Sequence, residues 1–84
     1  MRVSFDKQFC KKYIRESNKV HDIVPVTYQT FNDGGKKYFQ LDGYNSKVDI
    51  HKSGILKQSD YKMQFDKETA IEFVDLLKKE FDIQ

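Results

Sequence analysis

The chain contains no tryptophan, one proline (Pro25), one cysteine (Cys10) and four glycines. No apolar run approaches the roughly 20 residues of a membrane-spanning helix. A single cysteine cannot close an internal disulfide, and small domains of oxidising compartments normally carry several, so a reducing, intracellular setting is expected. The opening Met1-Arg2-Val3-Ser4-Phe5-Asp6-Lys7 has charge where a signal peptide needs an apolar core. The expectation is therefore a cytoplasmic protein with no membrane partner. Charge imbalance is also scarce: 15 Lys and Arg against 13 Asp and Glu leave +2, well short of the basic stripe of a dedicated nucleic-acid binder. With 84 residues the chain is read as one α-β-β-β-(β)-α domain spanning 1–84, large enough for one modest core and too small for a cleft between two.

Catalytic constellations are missing as well. Cys10 has no histidine near it in sequence, and His21-Asp22 and Asp49-x-His51 are pairings that chance supplies in a chain of this composition. One cysteine and two separated histidines do not match any zinc spacing. Gly34-Gly35 lacks the Lys-Ser/Thr of a phosphate loop and the third glycine of a dinucleotide fingerprint. These absences point away from an enzyme, and no catalytic residue, metal ligand or cofactor is assigned.

What the chain does have is aromatic bulk, seven Phe and five Tyr, arranged with clear periodicity. Phe65 to Phe81 reads as one amphipathic helix, with Ala70, Phe73, Val74, Leu77 and Phe81 on one stripe and Asp66 at the N-cap. On this reading Leu77 is a core position. Asp6 caps a second expected helix over Asp6 to Ser17, with Phe9, Cys10, Tyr13, Ile14 and Ser17 facing inward and Lys7, Lys11, Lys12 and Arg15 facing out. Met1 to Phe5 forms either a short strand or a lead-in to that helix.

Between the helices lie β-forming segments. Val24, Val26, Tyr28 and Thr30 alternate with Pro25, Thr27, Gln29 and Phe31, and Pro25 confines this strand to a start or an edge. Asn32-Asp33-Gly34-Gly35 predicts a hairpin, because its residues tolerate positive φ, and the return strand runs from Lys36 to about Tyr44. Gly43 is read as a bulge, with Asn45-Ser46 making the next turn. Lys47 to Lys52 is read as a third strand broken by Ser53-Gly54, Ile55 to Ser59 as ambiguous, and Asp60 to Phe65 as a fourth strand. The expected fold class is α+β: an N-terminal helix, a three- or four-stranded antiparallel meander, and a C-terminal helix packed on one sheet face.

Residues 1–20 carry net +4 and residues 66–84 net −3, so the two expected helices attract one another. The α-β-β-β-α order resembles double-stranded RNA-binding domains in topology, although that family opens its last helix with a basic Lys-Lys-x-Ala-Lys and this chain has Asp66-Lys67-Glu68-Thr69-Ala70 there. The leading functional expectation is a small non-enzymatic module that binds another protein. Tyr28, Phe31, Tyr38 and Tyr44 are its candidate contacts, since two helices cannot cover every large strand residue. The richness in Lys, Asp, Ile, Tyr and Phe looks like an AT-rich coding sequence of a bacterium or its phage, and the module is read as a regulator or inhibitor encoded by a phage or mobile element. The alternative is nucleic-acid binding through Lys7, Lys11, Lys12 and Arg15 on the first helix with Lys36 and Lys37 on the hairpin. A homodimer through the open sheet face or an edge strand is the third reading.

Overall fold

The computed structural model describes residues 1–45, 47, 49–52 and 58–84. Its described regular elements are strands β1 (Val26–Asp33), β2 (Lys36–Gly43) and β3 (Tyr61–Phe65) and helix α1 (Lys67–Phe81). The strands form one antiparallel sheet in the order β1-β2-β3. The hairpin turns on Gly34 and Gly35, whose φ of 58° and 80° give the two successive positive-φ residues of a type I′ turn, and its register pairs Asp33 with Lys36. On the far side of β3 the N-terminus adds a short parallel bridge, Arg2 opposite Gln64, in which Val3 N donates to Gln64 O and Gln64 N to Met1 O. The strand alternative for residues 1–5 thus holds at one bridge.

Helix α1 starts and stops where its end residues dictate. Asp66 Oδ1 accepts from Thr69 N at 2.8 Å, which satisfies one of the free N–H groups of the first turn. Asp82 closes the other end in the left-handed region at φ 53°, with the Ile83 N–H bonded to Lys78 O. Arg2 reaches the same cap, its guanidinium 3.0 Å from Asp66 Oδ2.

Three expectations need correction. No helix forms over residues 6–17. Asp6 still caps, accepting from Gln8 N on its side chain and from Phe9 N and Cys10 N on its carbonyl, but the chain leaves after that single turn. Phe9, Tyr13 and Ile14 are all strongly exposed, Ile14 at 87%, so the apolar arc meets no surface. An isolated helix of about 12 residues is marginal in water without such packing. The order is therefore β-β-β-α, and the likeness to the α-β-β-β-α order ends with the missing helix. Secondly, the third strand of the sheet is Tyr61–Phe65 and not 47–52: Asp49 to Lys52 form a turn, with His51 N donating to Asp49 Oδ1. Val48, Ser46 of the expected turn, the Ser53-Gly54 break and residues 55–57 lie outside the described residues. Thirdly, Gly43 is no bulge. It pairs with Val26 on one side and Tyr61 on the other, and a Cβ there would collide with the Tyr61 ring, so the aromatic lies across a position that only glycine leaves open.

The Asp66 carboxyl is held at about 2, below its ordinary 3.8, chiefly by its hydrogen bonds from Thr69 and further by Arg2. A depressed carboxylate stabilises the fold fully above its unfolded value and loses that contribution as pH falls through the folded one. Urea midpoints of the wild type should thus fall between about pH 4 and pH 2, and Asp66→Asn, which keeps a capping oxygen, should flatten that segment of the profile. Asp66→Ala should cost about 0.5 to 2 kcal/mol at neutral pH.

Candidate functional site: an uncovered apolar sheet face

Strand alternation divides the sheet into two unlike faces. On one, cross-strand pairing and the period of two bring together Val26, Tyr28 and Thr30 of β1, Phe39 and Leu41 of β2, and Tyr61, Met63 and Phe65 of β3. Its one charged residue by register is Lys37, beside the hairpin. The opposite face carries Gln29, Gln40, Asp42, Lys62 and Gln64. There Gln64 Nε2 donates to Gln40 Oε1 and Gln40 Nε2 to Asp42 Oδ1, both at 2.9 Å, and Ser59 Oγ donates to the same Asp42 oxygen. Among the described residues no buried side-chain nitrogen or oxygen lacks a partner. The polar face is internally satisfied, whereas the apolar face is covered by α1 at β3 and leaves Tyr28 and Phe39 exposed.

A row of aromatic rings crosses the apolar face. Tyr28 stacks on Phe39 at 5.5 Å, Phe39 tilts against Phe65 at 6.2 Å, Phe65 stacks on Phe73 of α1 at 5.9 Å, and Phe73 stacks on Phe5 at 4.8 Å. Such contacts contribute about 0.5 to 1.5 kcal/mol each beyond area burial. The row seats α1 over β3 and leaves the β1–β2 strip bare, so Tyr28 is 72% exposed at its free end. A crevice of about 200 Å³ separates strip from helix, lined by Thr30, Phe39, Phe65 and Ala70, with Lys37 and Lys67 also on its lining. Beyond it the helix presents Ile71, Val74 and Phe81, all exposed. Leu77, expected in the core, is 38% exposed, because the face that α1 turns to the sheet centres on Thr69, Ala70 and Phe73.

The accessible area is 7855 Å². A compact 10.0 kDa monomer exposes about 5,200 Å². The radius of gyration, 15.4 Å, likewise exceeds the roughly 12 Å of a compact chain this long. Among the described residues only Tyr44 and Phe65 are buried hydrophobics. The segment over residues 9–23 contributes to this excess, with Tyr13, Ile14, Val20 and Ile23 between 76% and 92% exposed.

The four candidate protein contacts fall into three places. Tyr28 stands on the apolar strip. Phe31 and Tyr38 stack on each other at 5.6 Å on the polar face, with Arg2 over the Tyr38 ring. Tyr44 is 4% exposed, its hydroxyl 3.4 Å from Thr27 Oγ1, and serves the core. Phe39, Leu41, Tyr61 and Met63 belong with Tyr28. Of these, Tyr28, Phe39 and Tyr61 are exposed, whereas Leu41 and Met63 are half-buried.

The cationic candidates are not gathered. Without the first helix, Lys7, Lys11, Lys12 and Arg15 share no helix face, Lys12 is paired with Glu80 at 3.1 Å, and Lys36 and Lys37 are neighbours that alternate between opposite sheet faces. Cys10 is half-buried, and His21 and His51 are exposed. Among the described residues no group of three or more His, Cys, Asp or Glu side chains could hold a metal ion, and no helix is long and apolar enough to cross a membrane. Comparison of the chain with protein-family models, curated proteins and solved structures finds no match.

Since Tyr28 is a surface residue of the folded chain, Tyr28→Ala should shift the urea unfolding midpoint by an amount equivalent to no more than about 0.5 to 1 kcal/mol. A larger loss would place that ring in the core.

Proposed function

We propose that the chain is a small non-enzymatic protein-binding module whose docking surface is the β1–β2 strip of the apolar face, with Tyr28 and Phe39 as anchors and the exposed flank of α1 as one wall. The observation that carries this reading is the exposed row of large apolar side chains Val26, Tyr28 and Phe39, beside a helix flank that exposes Ile71 and Val74. Exposed apolar patches of this kind mark interaction surfaces, and aromatic anchors dominate the binding energy of such sites. Lys37 is the one cation on the strip, so a phosphate backbone would find little to neutralise there. The nucleic-acid alternative lacks the shared basic face on which it depended. A regulatory or inhibitory role fits a module that acts by occupying a partner's surface.

Affinity capture from the native host, using wild-type and Tyr28→Asp chains as paired baits with and without nuclease, tests the reading. A protein retained by the wild type, lost with Tyr28→Asp and only weakly sensitive to salt is the expected result. Retention that needs nucleic acid and falls with a log–log salt slope of roughly −3 to −4 would replace it with the electrostatic alternative.

A further inference from the structure

Between the N-terminal bridge and β1 the chain carries large apolar side chains that meet no surface of their own domain. Phe9, Tyr13, Ile14 and Val20 are all strongly exposed, Val20 at 92%. Lys7, Lys11, Lys12, Arg15 and Lys19 are exposed among them, and Glu16 is the one acid from Lys7 to Val20. Beyond its first turn this segment is irregular in the free chain. That turn is nonetheless a helical start. Asp6 Oδ1 accepts from Gln8 N at 3.0 Å, and the Asp6 carbonyl accepts from Phe9 N and Cys10 N, each at 2.8 Å. A cap and the first bond from residue 10 back to residue 6 are thus in place, and forming that first turn is the costly step of helix formation.

Continuing the turn sorts the side chains by chemistry. At about 100° per residue, Phe9, Cys10, Tyr13, Ile14, Ser17 and Val20 fall within an arc about 140° wide, and the five cations fill an arc of about the same width on the other side. Glu16 falls at the boundary. What propagation lacks in water is a surface for the apolar arc.

We infer that residues 7–20 bind an anionic lipid bilayer, folding on it into an amphipathic helix that lies in the headgroup plane. The free chain keeps no such helix, and the bilayer supplies the missing surface. The bound helix, about 21 Å for these residues, is too short to cross and lies on one leaflet. Charge selects this partner. A helix seated in a protein groove turns its outer face to water, and such a face is free to mix signs, as α1 does with Glu68, Glu72, Asp75 and Lys79. Here the outer arc holds five cations and no acid, the complement of anionic headgroups, with aromatic and aliphatic side chains opposite to enter the acyl boundary. A nucleic acid would take the cations and leave Phe9, Tyr13, Ile14 and Val20 in water. The bilayer uses both arcs. The ion pair of Lys12 with Glu80 is exposed, so it holds the segment back little. The segment lies outside the β1–β2 strip, and this inference stands or falls separately from the protein-binding reading.

Flotation of the full chain with phosphatidylcholine vesicles, with and without about 30% phosphatidylserine, tests it, alongside far-ultraviolet circular dichroism. The wild type should float with the anionic vesicles, gain helical signal on them, stay behind with phosphatidylcholine alone, and be released as salt rises. Ile14→Asp should weaken binding at least about tenfold, by removing an inserted apolar side chain. Lys11→Glu combined with Arg15→Glu should weaken it at least about 20-fold, through lost headgroup attraction. These positions are exposed in the free chain, so both variants should match the wild-type dichroism without vesicles. Absence of flotation, flotation without gain of helix, or flotation that Ile14→Asp leaves intact overturns the inference. Preference for a DNA duplex over the anionic vesicles, unchanged by Ile14→Asp, overturns it too and returns the cations to the nucleic-acid alternative.

Discussion

Everything regular beyond the hairpin depends on the stacking of Phe65 between sheet and helix. Phe65 ends β3, precedes the Asp66 cap, and meets Phe39 across the strand pair, Phe73 on α1 and Phe5 on the N-terminal segment. One buried ring therefore joins four segments. The caps at Asp66 and Asp82 fix where α1 begins and ends, but nothing in them fixes where the helix lies. That comes from Phe73 on Phe65, reinforced by Arg2, which ties the N-terminal bridge to the helix cap.

Local signals in the sequence were legible where a few neighbouring residues decide the outcome. Asp66 caps because its carboxylate reaches an N–H three residues on, and Gly34-Gly35 turns because both tolerate positive φ. The alternation of Val26, Tyr28 and Thr30 with Thr27, Gln29 and Phe31 correctly gave the faces of β1. The failures concern competition between distant parts. The arc of Phe9, Tyr13 and Ile14 states which side of a helix would be buried, and is silent on whether a surface exists to bury it. Lys47 to Lys52 alternates as well as Tyr61 to Phe65 does, yet only the latter sets Met63 opposite Leu41 and Phe65 opposite Phe39. Tyr44 looked like an interface residue because tyrosine is at home there, and its burial against Thr27 follows from the path of the chain after β2.

The missing helix and the bare strip are one fact seen from two sides. A sheet with one apolar face expects cover, and a single helix about 10 Å wide covers roughly two strand widths, leaving the rest of the face to solvent or to another molecule. On the polar face, by contrast, Gln64 donates to Gln40 and Gln40 to Asp42 in a hydrogen-bonded series. Tyr28 and Phe39 on the other side stay exposed in the single chain. The functional reading follows from that asymmetry.

The seat of the helix on the sheet depends most directly on the Phe65 ring. In a urea titration of Phe65→Ala, followed by circular dichroism at 222 nm on the wavelength scale of peptide absorption, removal of the ring should cost about 3 to 5 kcal/mol, a large share of the stability of a domain this small. The helical signal should fall at lower urea than in the wild type. A variant with an unchanged midpoint and full helical signal would contradict the claim that this ring holds the helix to the sheet.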